Sequence, residues 1–176
     1  FLREHSTDGI RLHCLQGAQS ALQDFSLNDD SAQWSGELAG LSVVLRLEVD
    51  AESASLLWSV DLQGQEASAA TFDIVWVQDI GNAALGALQS NEAYTAHYLD
   101  ESVFKAEDCG PVLAFRQNLK QGAEGQFPWV MAACLSGAAS YATDAFDIYG
   151  NGYRCGEAPA GLIQPTLVNR RYQYEF

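Results

Sequence analysis

Cations are scarce in this sequence. Nine Lys and Arg stand against 23 Asp and Glu over 176 residues, a formal net charge of −14. None falls between Arg46 and Lys105, a stretch that carries ten carboxylates. Affinity for nucleic acid comes largely from Lys and Arg displacing counterions from phosphates, so a polyanionic partner is excluded as a main ligand. Anionic lipid is disfavoured for the same reason, and no direct membrane contact is expected. Long apolar runs are also missing, and nothing approaches the roughly 20 residues that a membrane-spanning helix needs. The opening residues Phe1 to Thr7 lack a basic start followed by an apolar run, so they do not read as a signal peptide. The chain starts without Met and reads as a piece of a larger protein, and a cytoplasmic location is favoured.

Metal-binding residues are sparse as well. Cys14, Cys109, Cys134 and Cys155 are far apart and form no CxxC pair, and only His5, His13 and His97 are available to help them. A zinc site has little support, and no metal or cofactor is expected. Cys14 and Cys134 sit among apolar or small residues and read as buried thiols. The sequence holds no GxSxG elbow, no Walker loop, no dinucleotide fingerprint and no HExxH. Asp100-Glu101 and Asp144-x-x-Asp147 are the candidate paired carboxylates that could flank a glycosidic bond, and an acidic chain produces such pairs by chance.

What is present is strand alternation. Leu41 to Val49 alternates apolar and polar from Val43 onward, and Leu56, Trp58, Val60 and Leu62 repeat the pattern after the polar Asp50 to Ser55. Two such segments around a short connection predict an antiparallel hairpin. Gly9 to Leu15 and Gln33 to Leu38 are weaker strand candidates. Thr71 to Val77 reads as a more buried strand, Val112 to Gln117 as another, and Trp129 to Tyr141 as one or two fully buried strands. The Ala-rich segment Asp79 to Leu88 suits a short helix or an irregular cover, whereas Ala93 to Phe104 leans towards strand through its aromatic and β-branched residues. The fold expected is mainly β, a single antiparallel sandwich domain over residues 1–176 with little helix.

One cluster suits a neutral ligand. Arg116, Gln117 and Asn118 offer planar, multi-donor groups at the end of a predicted strand, and Trp129 follows with an aromatic face on which sugar C–H groups pack. A purely structural role, holding a loop or an interface, explains the same residues. His97, among Tyr94, Tyr98 and Asp100, is more economically an ordinary strand or interface histidine than a catalytic one.

The segments Val77-Gln-Asp-Ile-Gly81, Ser90-Asn-Glu-Ala-Tyr94, Arg116-Gln-Asn-Leu-Lys-Gln-Gly122, Tyr141-Ala-Thr-Asp-Ala-Phe146 and Tyr172-Gln-Tyr-Glu-Phe176, in this order, carry a resemblance. They resemble the amino-terminal sandwich region of glycoside phosphorylases, in particular the 1,2-β-oligoglucan phosphorylases of glycoside hydrolase family 94, to which cellobiose phosphorylases and a domain of cyclic β-1,2-glucan synthases are related. The resemblance implies an antiparallel super-sandwich like that of galactose mutarotases, present in whole or in part. It implies a parent enzyme that cleaves β-linked gluco-oligosaccharides with inorganic phosphate to give glucose 1-phosphate. The general acid and the phosphate site would lie in a helical barrel beyond this chain, with no catalytic residue here. The sandwich would pack on that barrel and take part in a homodimer. Substrate contacts, where this region makes any, are expected from Gln117, Asn118 and Gln121, then Asn91 and Tyr94, with Trp129 as the aromatic platform. Two alternatives stay open: an autonomous carbohydrate-binding module, and a mutarotase-like sugar epimerase.

Overall fold

The two amphipathic segments form the expected hairpin, and it is the longest pairing in the molecule. Strand β5 (Leu41–Asp50) runs antiparallel to β6 (Ser55–Gly64), from Leu41 opposite Gly64 to Asp50 opposite Ser55. The computed structural model describes residues 1–64, 70–83, 85–96, 98–118, 129–137, 140–150 and 159–164. Within them the fold is mainly β, and the strands β1 (Leu2–Ser6), β2 (Gly9–His13), β3 (Asp24–Leu27), β4 (Ser31–Leu38) and β7 (Thr71–Ile74) complete the first part. After them come helix α1 (Leu85–Ala96), strands β8 (Leu99–Ala106), β9 (Gly110–Gln117) and β10 (Trp129–Ala133), and the short helix α2 (Ala145–Tyr149). The strands make three antiparallel sheets, in the orders β3-β4-β5-β6, β2-β1-β7 and β10-β9-β8.

The chain divides into two compact units, one of Phe1–Val77 with Phe146–Pro165 and one built on Gln78–Ala145. In the first unit Leu38, Leu41, Val43 and Leu45 line one face of the four-stranded sheet. They share a core with Leu2 of β1 and Phe72 of β7, closed by Leu15 and Leu22. Two sheets therefore pack face to face as a sandwich. A fully buried Leu contributes about 1.5–3 kcal/mol, more than the roughly 1 kcal/mol net of a hydrogen bond, so the inward apolar row sets the register. Past Leu45 the same face carries a file of aromatic rings. Phe25, Trp34 and Trp58 follow one another on it at centroid distances of 5.2 and 5.9 Å, and Trp76, which follows β7, meets Trp58 edge-on at 5.9 Å.

A second tie is polar. Arg3 is buried, and its guanidinium donates from Nε and Nη2 to both oxygens of Asp73, at 2.7 and 2.6 Å. From Nη1 it donates to the carbonyls of Leu162 and Gln164, at 3.2 and 2.9 Å. One side chain thus binds β1, β7 and the returning turn of residues 159–164. Because every partner is an acceptor, the buried charge is satisfied rather than stranded.

In the second unit three expectations are corrected. Ala93 to Ala96, the start of the segment that leans to strand by composition, belongs to α1, because Leu85, Ala87, Leu88, Gln89 and Glu92 are strong helix formers. Gly86 lies in the first turn, where it interrupts the helix least. The turn Tyr98 N–H to Thr95 O, at 3.2 Å, then starts β8. The segment from Trp129 is one five-residue strand at the edge of its sheet, with Trp129 and Met131 exposed rather than buried. In the first unit β7 likewise stops at Ile74 and ends half-exposed, since it too is an edge strand. Cys134 is exposed, against the expectation of a buried thiol, for it follows the end of β10. Cys14 and Cys109 are free thiols, and Cys155 lies outside the described residues.

Candidate functional site

Strand register assembles the predicted cluster. Across the three-stranded sheet Asp100 lies opposite Arg116, and Arg116 opposite Trp129, so a carboxylate, a guanidinium and an indole form one row. Side chains directly across a sheet share a face, so all three project to the same side. Arg116 donates from Nη2 to Asp100 Oδ2 at 2.8 Å, and its guanidinium carbon sits 5.0 Å from the centroid of the Trp129 ring. Asn118 donates from Nδ2 to the other oxygen of Asp100, at 2.9 Å. These bonds, Arg116 first and Asn118 second, hold the Asp100 carboxyl below the usual carboxylate range. Asp100 is therefore an acceptor at neutral pH, not a proton donor. Arg116 Nε is buried and has no acceptor among the described residues. Moving along the sheet, the same face presents Met131 and Phe104, 62% and 47% exposed beside a Trp129 that is 46% exposed.

The structure sorts the expected contact residues. Asn118 and Trp129 join this row directly or through Asp100. Gln117 does not, since strand alternation turns it to the opposite face. There it is 1% exposed, and its amide donates to the Thr95 carbonyl at the end of α1, at 3.1 Å. Gln121 and His97 lie outside the described residues, as do the side chains of Asn91 and Tyr94, whose backbone belongs to α1. Asp100 and Arg116 complete the row. Arg116 was legible in the sequence as a planar donor, whereas Asp100 needed the strand register to connect it. The pair Asp100-Glu101 cannot flank one bond, because neighbours on a strand face opposite sides. Among the described residues no three His, Cys, Asp or Glu come together to hold a metal ion.

Each arginine among the described residues faces a carboxylate. Arg3 binds Asp73, Arg11 approaches Glu4 at 3.7 Å, Arg46 pairs with Asp61, and Arg116 pairs with Asp100. Two histidines do the same: His5 lies 3.0 Å from Asp73 and His13 2.9 Å from Glu4. A phosphate would have to displace a carboxylate from any of these cations. No helix of the described residues is long and apolar enough to cross a membrane.

Comparison with known proteins gives two matches. The family described as the SOGP N-terminal domain matches residues 1–176. A protein of Listeria innocua serovar 6a (strain ATCC BAA-680 / CLIP 11262), named 1,2-beta-oligoglucan phosphorylase, is 30% identical over 176 residues, all of this chain. The chain spans 15% of the length of that relative. Both matches bear out the resemblance carried by the quoted segments, and they extend it over the strands before Phe72.

Proposed function

The chain belongs to the SOGP N-terminal domain family, and on that footing we propose that it is the non-catalytic amino-terminal domain of a glycoside phosphorylase. That enzyme would cleave β-linked gluco-oligosaccharides with inorganic phosphate, releasing glucose 1-phosphate. The single observation that carries the reading is the match along the whole chain to a phosphorylase of which the chain spans 15%. The described residues support the non-catalytic part. Their arginines are each neutralised by a carboxylate, so none is free to capture phosphate. Phosphorolysis also needs a carboxylic acid able to donate a proton at neutral pH. Asp100, the carboxylate of the candidate row, is held ionised instead.

In this reading the two units act as one domain that supports a catalytic barrel elsewhere in the polypeptide and a homodimer in the cytoplasm. The saccharide contact falls to Trp129, Arg116, Asp100 and Asn118, with Gln117 serving the fold. The exposed indole beside planar donors also keeps the binding-module reading in view, since that arrangement suits a sugar whether or not a barrel is attached.

The test is phosphorolysis by this chain. Incubated with β-1,2-gluco-oligosaccharides and inorganic phosphate, the 176-residue chain is expected to release no glucose 1-phosphate. Robust phosphate-dependent release would overturn the reading.

A further inference from the structure

We propose that the open face of the three-stranded sheet is a binding site for neutral oligosaccharide that discriminates against phosphorylated sugar. The choice of glucan as its ligand rests on the phosphorylase reading; the discrimination rests on the geometry.

Two features of the face point to a polyol with apolar C–H surfaces. First, Trp129, Met131 and Phe104 stand exposed on one side of the sheet, 46%, 62% and 47% respectively, although the central residues Val112 and Ala114 between them are buried. Apolar side chains in this position offer dispersion contact and, for the indole, a π face to ring C–H groups. Second, the polar row at one end of this platform is complete in hydrogen-bond character. Asp100 accepts, Asn118 both donates and accepts, and the half-exposed guanidinium of Arg116 donates. Hydroxyl groups, each donor and acceptor at once, match such a row.

Charge decides the discrimination. Among the described residues the one guanidinium on the face, that of Arg116, is already bound to Asp100, so the row is locally neutral. It is set in a chain of net charge −14. A phosphate group would compete with a carboxylate held by two hydrogen bonds, and would meet the repulsion of the whole molecule. A neutral sugar meets neither. The face would thus retain the oligosaccharide and leave the phosphorylated product unbound.

Titration of the 176-residue chain by calorimetry and by NMR chemical shifts tests this. The probes are β-1,2-gluco-oligosaccharide, cello-oligosaccharide, glucose 1-phosphate and inorganic phosphate. The expected result is saturable binding of β-1,2-gluco-oligosaccharide, with shifts centred on β8, β9 and β10. Trp129→Ala should weaken it about tenfold, and Trp129→Phe should restore most of it. Glucose 1-phosphate and phosphate should not bind at the same concentrations. The site is overturned if no saccharide saturates, or if Trp129→Ala in a chain with unchanged circular dichroism binds as before. Equal affinity for glucose 1-phosphate overturns the discrimination. Trp129-dependent binding of cello-oligosaccharide alone would keep the site and the phosphorylase reading and overturn β-1,2-linked glucan as its ligand.

Discussion

Asp73 shows what one carboxylate does in this molecule. Its pKa is lowered, first by the hydrogen bonds from Arg3, against a desolvation that raises it, and further by His5. A folded-state pKa below the unfolded value of about 3.9 means that the ionised form is favoured by folding. That stabilisation is present above the unfolded value and is lost as pH falls through the folded one. The side chain of Asp73 is 44% exposed, so solvent screens part of the effect. Asp73→Asn should therefore lower stability near neutral pH and flatten the fall of stability in acid below the ordinary Asp range. Denaturant melts of the two proteins between neutral and acid pH measure it, and parallel pH curves would contradict it. Arg3 itself was not legible as a core residue. Its partners stand 70 positions away at Asp73 and 159 and 161 positions away at Leu162 and Gln164, and no local pattern announces such distances. The place of Gln117 was not legible for a related reason: its residue type suits a sugar, but strand alternation turns it into the interior.

At the scale of elements, the hairpins were the readable part. The alternation around Asp50 to Ser55 placed β5 and β6 correctly because both segments have one wet face and a polar turn between them. In that turn Asp50 accepts from the Glu52 amide at 2.9 Å and from the Ser53 hydroxyl at 2.6 Å. The β4–β5 turn is tighter. Leu38 pairs with Leu41, leaving Ala39 and Gly40 as a two-residue loop with φ of 52° and 77°. Positive φ at both positions is the hairpin geometry that matches strand twist, and Gly40 adopts it freely. Ala39 does not, since its Cβ crowds the backbone there. Ala39→Asn is expected to stabilise the protein by about 0.5–1 kcal/mol, seen as a rise in the thermal midpoint. A lowered midpoint would mean that the turn relaxes in some other way. Helix α1 was harder to read, because its weak apolar patterning says little and Tyr94 and Thr95 point towards strand. Backbone hydrogen bonds along a run of good helix formers outweigh those two residues.

For the whole molecule the charge is the dominant global property. A net charge of −14 makes the folded chain repel itself, and neutral salt shortens the reach of that repulsion to about 10 Å at 0.1 M. Raising sodium chloride from low to moderate concentration should raise the thermal midpoint, even though it weakens the exposed Arg46–Asp61 and Arg116–Asp100 pairs. Scanning calorimetry across a salt series checks the sign, and a falling midpoint would show that these pairs outweigh the net repulsion. By itself, the sequence determined the β class, the central hairpin, the strongly acidic charge and the residue types near Trp129. These follow from periodicity and composition, which are local. Only the tertiary structure decided that Leu2 and Phe72 close the core over Val43, that Arg3 ties the returning turn to β1, and that Gln117 is buried while Asp100, Arg116 and Trp129 share a face. Those are questions of which strand lies beside which and in what register. Long-range burial and pairing answer them, and a period of two along the chain carries no record of either.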